Sequence, residues 1–151
     1  MKVLSSTAAS LIAVLTLICC VFAGCSDKFF SSDNDSPNSI KVGVALYDEF
    51  DTFIGVLFDR FSKIARETEQ ERGIVIDISV EAANGNQFLQ NNQVEAFIES
   101  GCDVICVNLV DRTDAAIIID KANAADIPVI FFNRELVAKD LYRARNLYYV
   151  G

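Results

Sequence analysis

The chain has 151 residues, a length that suits one ordinary domain, and 52% of them are hydrophobic, which is ample for a core. It carries 21 acidic against 13 basic residues, a net charge of −8, so its surface repels nucleic acid and anionic lipid headgroups. Histidine is absent, which argues against a histidine metal site and against histidine-activated nucleophiles, while carboxylate chemistry stays open.

The N-terminal segment, residues 1–24, has the pattern of a secretory signal peptide. Lys2 is its one charged residue, and an apolar run covers residues 11–22. This run is too short and too close to the N-terminus for a permanent membrane span. It ends in Phe22-Ala23-Gly24-Cys25, which resembles the bacterial lipoprotein signal, in which the cysteine becomes the acylated first residue. An ordinary signal peptide followed by a chance cysteine is the alternative.

A polar segment separates this signal from the folded part of the chain. Residues 31–39 are rich in serine, aspartate and asparagine and too poor in apolar side chains to pack, and residues 25–39 are predicted to be the lipidated cysteine and a flexible tether. The folded domain is therefore expected over residues 40–151. Loss of the signal removes Lys2 and leaves 12 basic against 21 acidic residues, a net charge near −9.

Strand and helix patterns alternate from residue 41 onward. The predicted strands are residues 41–47, 74–80, 103–108, 127–132 and 147–150, and apolar residues at helical spacing lie between the first four. Parallel strands joined by helices of this length need right-handed crossovers. The sequence therefore predicts an α/β fold, a three-layer doubly wound parallel sheet of strand order 2-1-3-4-5.

Two cysteines, Cys102 and Cys106, fall within the folded part. The apolar residues around them place both on a short buried strand, where a separation of four residues is too large for a disulfide. We interpret them as small core residues rather than as a metal or redox pair.

Polar and aromatic side chains follow the strands of this predicted sheet. In an open parallel sheet, ligands bind outside the carboxyl ends of the strands, near the switch in strand order. The side chains that this rule selects are Tyr47, Asp51 and Phe53 after strand one, Asn84 and Asn86 after strand two, Asn108 and Asp111 after strand three, and Asn133, Arg134 and Glu135 after strand four.

The selected side chains suit a neutral sugar. Carboxylates and planar amides bind sugar hydroxyls, and Asp51, Asn108 and Asn133 supply them. The ring of Phe53 offers a face for the sugar C–H bonds. Each residue also has a plain structural explanation, because Asp51 can cap a helix, Phe53 can be core, and asparagine is common in turns.

Other chemistries fit the pattern less well. The loops lack the glycine-rich and lysine-bearing phosphate motifs, and the acidic first loop would repel an anion. Asp48 and Glu49 imitate the acidic pair of a phospho-receiver domain, but strand three ends in Asn108 rather than aspartate. Acid catalysis by Asp51 with Glu135 is open on composition alone, since the sequence does not give their separation.

At these residues the chain resembles the periplasmic galactose/glucose-binding proteins over residues 41–151. The motifs that carry the resemblance are Val42-Gly43-Val44 with Tyr47, Asp51-Thr52-Phe53, Asn91-Asn92-Gln93, residues 107–111, residues 127–133, and Tyr148-Tyr149-Val150-Gly151. Arg112 departs from the family, which usually has proline there, and residues 135–146 match loosely.

The resemblance assigns roles to individual residues. It implies that Asp51 and Asn108 hydrogen-bond the sugar hydroxyls and that Phe53 stacks on the ring. Tyr47 is expected to line the site, and Asn133 belongs to the family's strand-four motif and is a further candidate ligand contact. It implies no catalytic activity and no cofactor in this chain, because the family's calcium site lies in a second lobe.

The resemblance also implies partners and a cellular role. Family members are two-lobed receptors that close on a sugar and serve ABC importers and chemotaxis. Galactose or glucose, the transporter's membrane subunits, a chemoreceptor and the membrane, through the lipid on Cys25, are thus the expected partners. Residues 40–151 correspond to one lobe, and a half-site predicts very weak binding. A same-fold receptor for another sugar such as ribose, or a standalone α/β enzyme or interaction module, are the alternatives.

Overall fold

The computed structural model describes residues 38–151, which form five strands and three helices. In chain order these are β1 (Ser39–Leu46), α1 (Thr52–Arg72), β2 (Val75–Ala82), α2 (Gln87–Glu99), β3 (Val104–Val107), α3 (Ala116–Ala124), β4 (Val129–Phe132) and β5 (Leu147–Val150). All strand pairs are parallel, and their order in the sheet is β2-β1-β3-β4-β5. The fold class and strand order predicted from the sequence are confirmed.

The signal peptide at residues 1–24, the lipidation site at Cys25 and nearly all of the tether lie outside the described residues. The first strand begins at Ser39, one residue before the predicted start of the folded domain. Within residues 38–151, no helix combines the length and the apolar character that a membrane crossing would need.

Local signals set the ends of the first helix. The side chain of Asp51 accepts a hydrogen bond from the backbone N–H of Ile54 at 3.0 Å and so caps the N-terminus of α1. At the other end Gly73 adopts the left-handed conformation, φ 64°, and its N–H donates to the carbonyl of Glu69. The helix therefore begins directly at the loop that carries Tyr47 and Asp51.

Helices pack on both faces of the sheet, and the two faces use different helices. One face packs against α2 and α3 and holds the larger core, with Ile105, Val107 and Phe131 fully buried at its centre. The opposite face packs against α1, where Ile54 is 1% exposed. This split follows from right-handed crossovers, because only the connection from β1 to β2 runs toward that edge of the sheet.

Because α1 alone covers its face, part of that face stays open. An apolar groove of about 450 Å³ lies between α1 and strands β4 and β5. Its lining residues are Val44, Phe53, Leu57, Phe58, Phe61, Cys106, Ile130, Phe132, Asn133, Val150 and Gly151.

Four of the five predicted strands differ from the observed ones by one or two residues at their ends, and the errors at Cys102 and Ile127 have a structural cause. Cys102 does not lie on β3, which starts at Val104; its N–H instead donates to the carbonyl of Phe97 at the end of α2. Strand β4 starts at Val129 rather than Ile127, because the N–H of Ile127 is still bonded to Ala122 of α3 and Pro128 has no N–H to give.

Burial raises the pKa of the Cys106 thiol to about 11, so it stays protonated at neutral pH.

Candidate functional site

The predicted site residues lie at the carboxyl ends of β1, β3 and β4, which are neighbours in the sheet. Tyr47 follows β1, Asn108 follows β3, and Asn133 follows β4 directly. Because the strands are parallel, these three loops meet at one edge, as the topology rule requires. We refer to this edge as the candidate site.

Tyr47 and Asp51 are in direct contact. The Tyr47 hydroxyl donates a hydrogen bond to Oδ2 of Asp51, while Oδ1 of the same carboxylate caps α1. The hydrogen bond from Tyr47, followed by that from the Ile54 N–H, lowers the pKa of Asp51 below its ordinary value, and the same contact raises the pKa of Tyr47. A carboxylate has about four acceptor positions, so this partly exposed group retains capacity for a ligand hydroxyl.

Arg134 connects the loops of three strands. Its guanidinium carbon lies 3.8 Å from the centroid of the Tyr47 ring. Its Nη1 also donates to the carbonyls of Leu109, at 3.0 Å, and Val110, at 2.9 Å. The charge of Arg134 is therefore held by an aromatic face and two carbonyl oxygens at the candidate site.

Asn108 is fully buried, with 0% of its surface exposed. Its Nδ2 donates to the carbonyl of Phe132 at 3.1 Å, which ties the end of β3 to the end of β4. Its Oδ1 has no hydrogen-bond partner among residues 38–151. In this structure the side chain thus links two strands and has no solvent-accessible surface through which to meet a ligand.

Gln90, on α2, is a buried polar residue that sequence reasoning passed over. Its Nε2 donates to the carbonyl of Asn108 at 2.9 Å, and its Oε1 accepts from the N–H of Val110 at 3.0 Å. A signal was present in the sequence, because Gln90 shares helical spacing with the core residues Val94 and Phe97. A polar residue on an apolar stripe indicates a buried polar partner.

Phe53 and Asn133 both line the apolar groove. Phe53 is 62% exposed, so its ring is not part of the core. Asn133 is exposed and has the left-handed φ of 62°, typical of an asparagine in a turn. Its amide and the phenyl ring of Phe53 are both open to solvent at this edge.

Other polar residues that the topology rule selected hold turns in place. Asn84 exchanges hydrogen bonds with Glu49 across neighbouring loops, and Asn86 caps α2 by accepting from the N–H of Leu89. Asp111 accepts from the N–H and hydroxyl of Thr113. Within residues 38–151, no cluster of three or more metal-ligating side chains occurs.

The structure thus brings Tyr47 and Asp51 together and ties them through Arg134 to the residues that follow Asn108. The described loops present a carboxylate, a phenyl ring and an amide to solvent. This combination can hold hydroxyl groups and an apolar ring face, which is chemistry for a neutral polyol.

Comparison with known proteins identifies the family. The model of the periplasmic binding protein domain matches residues 42–151. The chain belongs to this family. A relative from Haemophilus influenzae, named D-galactose/methyl-galactoside binding periplasmic protein MglB, is 31% identical over 142 residues, which are 92% of this chain and 39% of the relative.

Solved structures of other periplasmic binding proteins share the fold. An ABC transporter solute-binding protein from Bacillus halodurans with bound myo-inositol superposes with a TM-score of 0.61 at 29% identity, covering 74% of this chain and 36% of the other. The myo-inositol-binding protein of Caulobacter has the same TM-score at 19% identity and covers 74% of this chain and 34% of its own. The chain spans little more than a third of the length of these proteins.

Proposed function

We propose that the chain is one lobe of the solute-binding component of an ABC importer for galactose or glucose, and that its candidate site holds one side of the sugar. The observation that carries this proposal is the partly exposed Asp51 carboxylate, oriented by Tyr47, at the same strand end as the exposed ring of Phe53. The galactoside-binding relative from Haemophilus influenzae supports galactose as the ligand.

The roles of the individual residues follow from this geometry. Asp51 accepts hydrogen bonds from sugar hydroxyls, Phe53 stacks on the C–H face, and Asn133 donates and accepts at the rim. Tyr47 acts indirectly, by orienting the Asp51 carboxylate through its hydrogen bond. We assign Asn108 a ligand contact only after a movement that exposes its unpaired Oδ1, since the side chain is buried here.

The proposal extends to the setting of the protein. It places residues 1–24 as a signal peptide, Cys25 as the lipidated residue, residues 25–39 as the tether and residues 40–151 as the sugar-binding lobe. The partners are then the membrane subunits of the transporter and a chemoreceptor, with the chain exported and anchored to a membrane. It is a binding protein rather than an enzyme and needs no cofactor in this lobe, in line with the names of its relatives.

The first test is a titration of the purified mature chain with galactose, glucose and myo-inositol, followed by amide NMR shifts. Because a single lobe leaves much of the ligand in water, affinities in the millimolar range are expected. Galactose or glucose should shift the signals of residues 47–54 and 133, and Asp51→Asn should weaken binding about tenfold, the loss of one hydrogen bond's net contribution.

Asp48→Asn is the matched control, because Asp48 lies in the same loop but its Oδ1 accepts from the N–H of Phe50. It should leave the affinity within about threefold of the unchanged protein, less than the net worth of one hydrogen bond. Equal losses in both variants, or no shifts with any of the sugars, would contradict the proposal.

A second candidate ligand is myo-inositol, which the 29%-identical Bacillus halodurans protein holds. It is also a neutral ring of hydroxyls, but it lacks the ring oxygen of a pyranose. Tighter binding of myo-inositol than of either hexose in the same titration would favour an inositol receptor.

A further inference from the structure

Arg134 follows β4 and contacts the loops that follow β1 and β3. We propose that Arg134 is a positioning residue, which fixes the plane of the Tyr47 ring and, through the Tyr47 hydroxyl, the Asp51 carboxylate. The inference rests on the proposed ligand role of Asp51, and it adds a residue that neither touches the ligand nor belongs to the core.

The first step of the argument is the stacking contact. With its guanidinium carbon 3.8 Å from the ring centroid, Arg134 covers one face of Tyr47. Tyr47 packs against the core on the α1 face of the sheet but is only partly buried, so this packing leaves part of its ring uncovered. A guanidinium plane against the ring restricts rotation about the bond from Cα to Cβ, and thereby keeps the hydroxyl directed at Asp51.

The second step is the anchoring of Arg134 itself. Its Nη1 is held by two successive carbonyls, those of Leu109 and Val110, and its backbone N–H donates to the carbonyl of Phe132 at 2.7 Å. The same Phe132 carbonyl accepts from Asn108. These bonds hold the guanidinium at the ends of β3 and β4, where it also contacts the ring of Tyr47, the residue after β1.

The third step separates position from charge. Arg134 also acts on Asp51 as a nearby positive charge, and Asp48 acts on Tyr47 as a negative one. A lysine would keep the charge, but its compact ammonium cannot stack on the ring and serve two carbonyls at once. A positioning role therefore predicts that Arg134→Lys changes the titration of Asp51, whereas a charge effect alone predicts that this variant leaves it unchanged.

The experiment compares Arg134→Lys and Arg134→Met with Arg143→Met in the ligand-free mature chain. Arg143 is the matched control, an arginine whose guanidinium bonds Asp120 through two nitrogens at 2.7 and 2.6 Å, away from Tyr47. Carbon-detected NMR follows the titration of the Asp51 carboxylate, and the melting temperature reports on overall stability. We expect both Arg134 variants to move the Asp51 titration toward the ordinary aspartate value and Arg143→Met to leave it unchanged.

A double variant shows the route of the effect. In a Tyr47→Phe background the hydroxyl is gone, so Arg134→Lys should no longer change the Asp51 titration. With galactose or glucose, the single Arg134 variants should also bind about tenfold more weakly, the size of one lost hydrogen bond.

Several outcomes would overturn the inference. Wild-type titration in Arg134→Lys would assign the effect to charge, and wild-type titration in a folded Arg134→Met would exclude any coupling. If the titration shifts as expected while the unchanged protein binds none of the sugars, the positioning role stands and the proposed function fails.

Discussion

Asp51 serves two purposes at the residue scale. One oxygen of its carboxylate caps α1, and the other accepts from Tyr47 at the candidate site. The structural and the functional explanations of this residue are therefore both compatible with its geometry. An exchange to asparagine can keep an oxygen at the capping position, while it removes the charge and replaces Oδ2 by an NH2 group that cannot accept from Tyr47. Asp51→Asn therefore tests the ligand-facing half of the carboxylate.

The Asp51 charge makes stability depend on pH. Hydrogen bonds lower its pKa in the folded state below the value of 3.8 that applies without these contacts. A depressed carboxyl pKa contributes stability above the unfolded value and loses that contribution as the pH falls through the folded value. We expect the unchanged protein to be more stable than Asp51→Asn at pH 7, with the difference shrinking below pH 4, as measured by urea unfolding at both pH values.

Gln90 is a fully buried polar residue whose side chain bonds two backbone groups. Gln90→Met leaves the carbonyl of Asn108 and the N–H of Val110 without their partner and should lower the free energy of unfolding by about 2–4 kcal/mol. Gln87→Met is the matched control, because Gln87 accepts from the exposed N–H of Asp111, which water can satisfy instead, and donates to the part-buried Oδ1 of Asn91. Its cost should stay below that of Gln90→Met, and equal costs in urea unfolding would contradict this account.

At the scale of elements, the contact between β1 and α2 depends on a missing side chain. Gly43 lies on the sheet face that α2 covers, and a Cβ added there would lie 2.6 Å from Cγ of Phe97. Phe97 is itself 5% exposed and has little room to move. The close approach of helix and strand therefore requires glycine at position 43.

Gly43→Ala should destabilise the protein by about 1–3 kcal/mol, the range for overpacked cores. Gly55 gives the opposite control, because a Cβ at this exposed position of α1 meets no atom within 4 Å. Gly55→Ala should raise the free energy of unfolding by about 0.5–1 kcal/mol through helix propensity. Thermal unfolding that showed the same sign for both variants would contradict the packing argument.

The sequence predicted the elements well because their causes are local. Apolar alternation and helical spacing marked the strands and helices, and right-handed crossovers imply a parallel sheet with helices on both faces. The cap at Asp51 was likewise readable from residue type and place. Cys102 was misplaced because a turn that closes α2 takes up the residues before β3.

The candidate site was only partly predictable, since its side chains depend on contacts between distant segments. The burial of Asn108 was not predictable from local pattern, because its amide pairs with the carbonyl of Phe132, 24 residues away. The contact of Arg134 with Tyr47 joins segments that are far apart in the chain. Residue type and position at a strand end predicted the correct edge of the sheet. Which of those side chains are exposed to solvent depends on tertiary contacts.

At the scale of the whole molecule, side-chain contacts link the loops of the candidate site. Asn108 ties β3 to β4, and Arg134 ties both to the loop after β1. Under the proposed function, Asp51, Phe53 and Asn133 meet a sugar in place and lose little conformational entropy, whereas Asn108 must first move. Selectivity among sugars should then depend first on fit to these three side chains, and only secondarily on the contact that Asn108 gains.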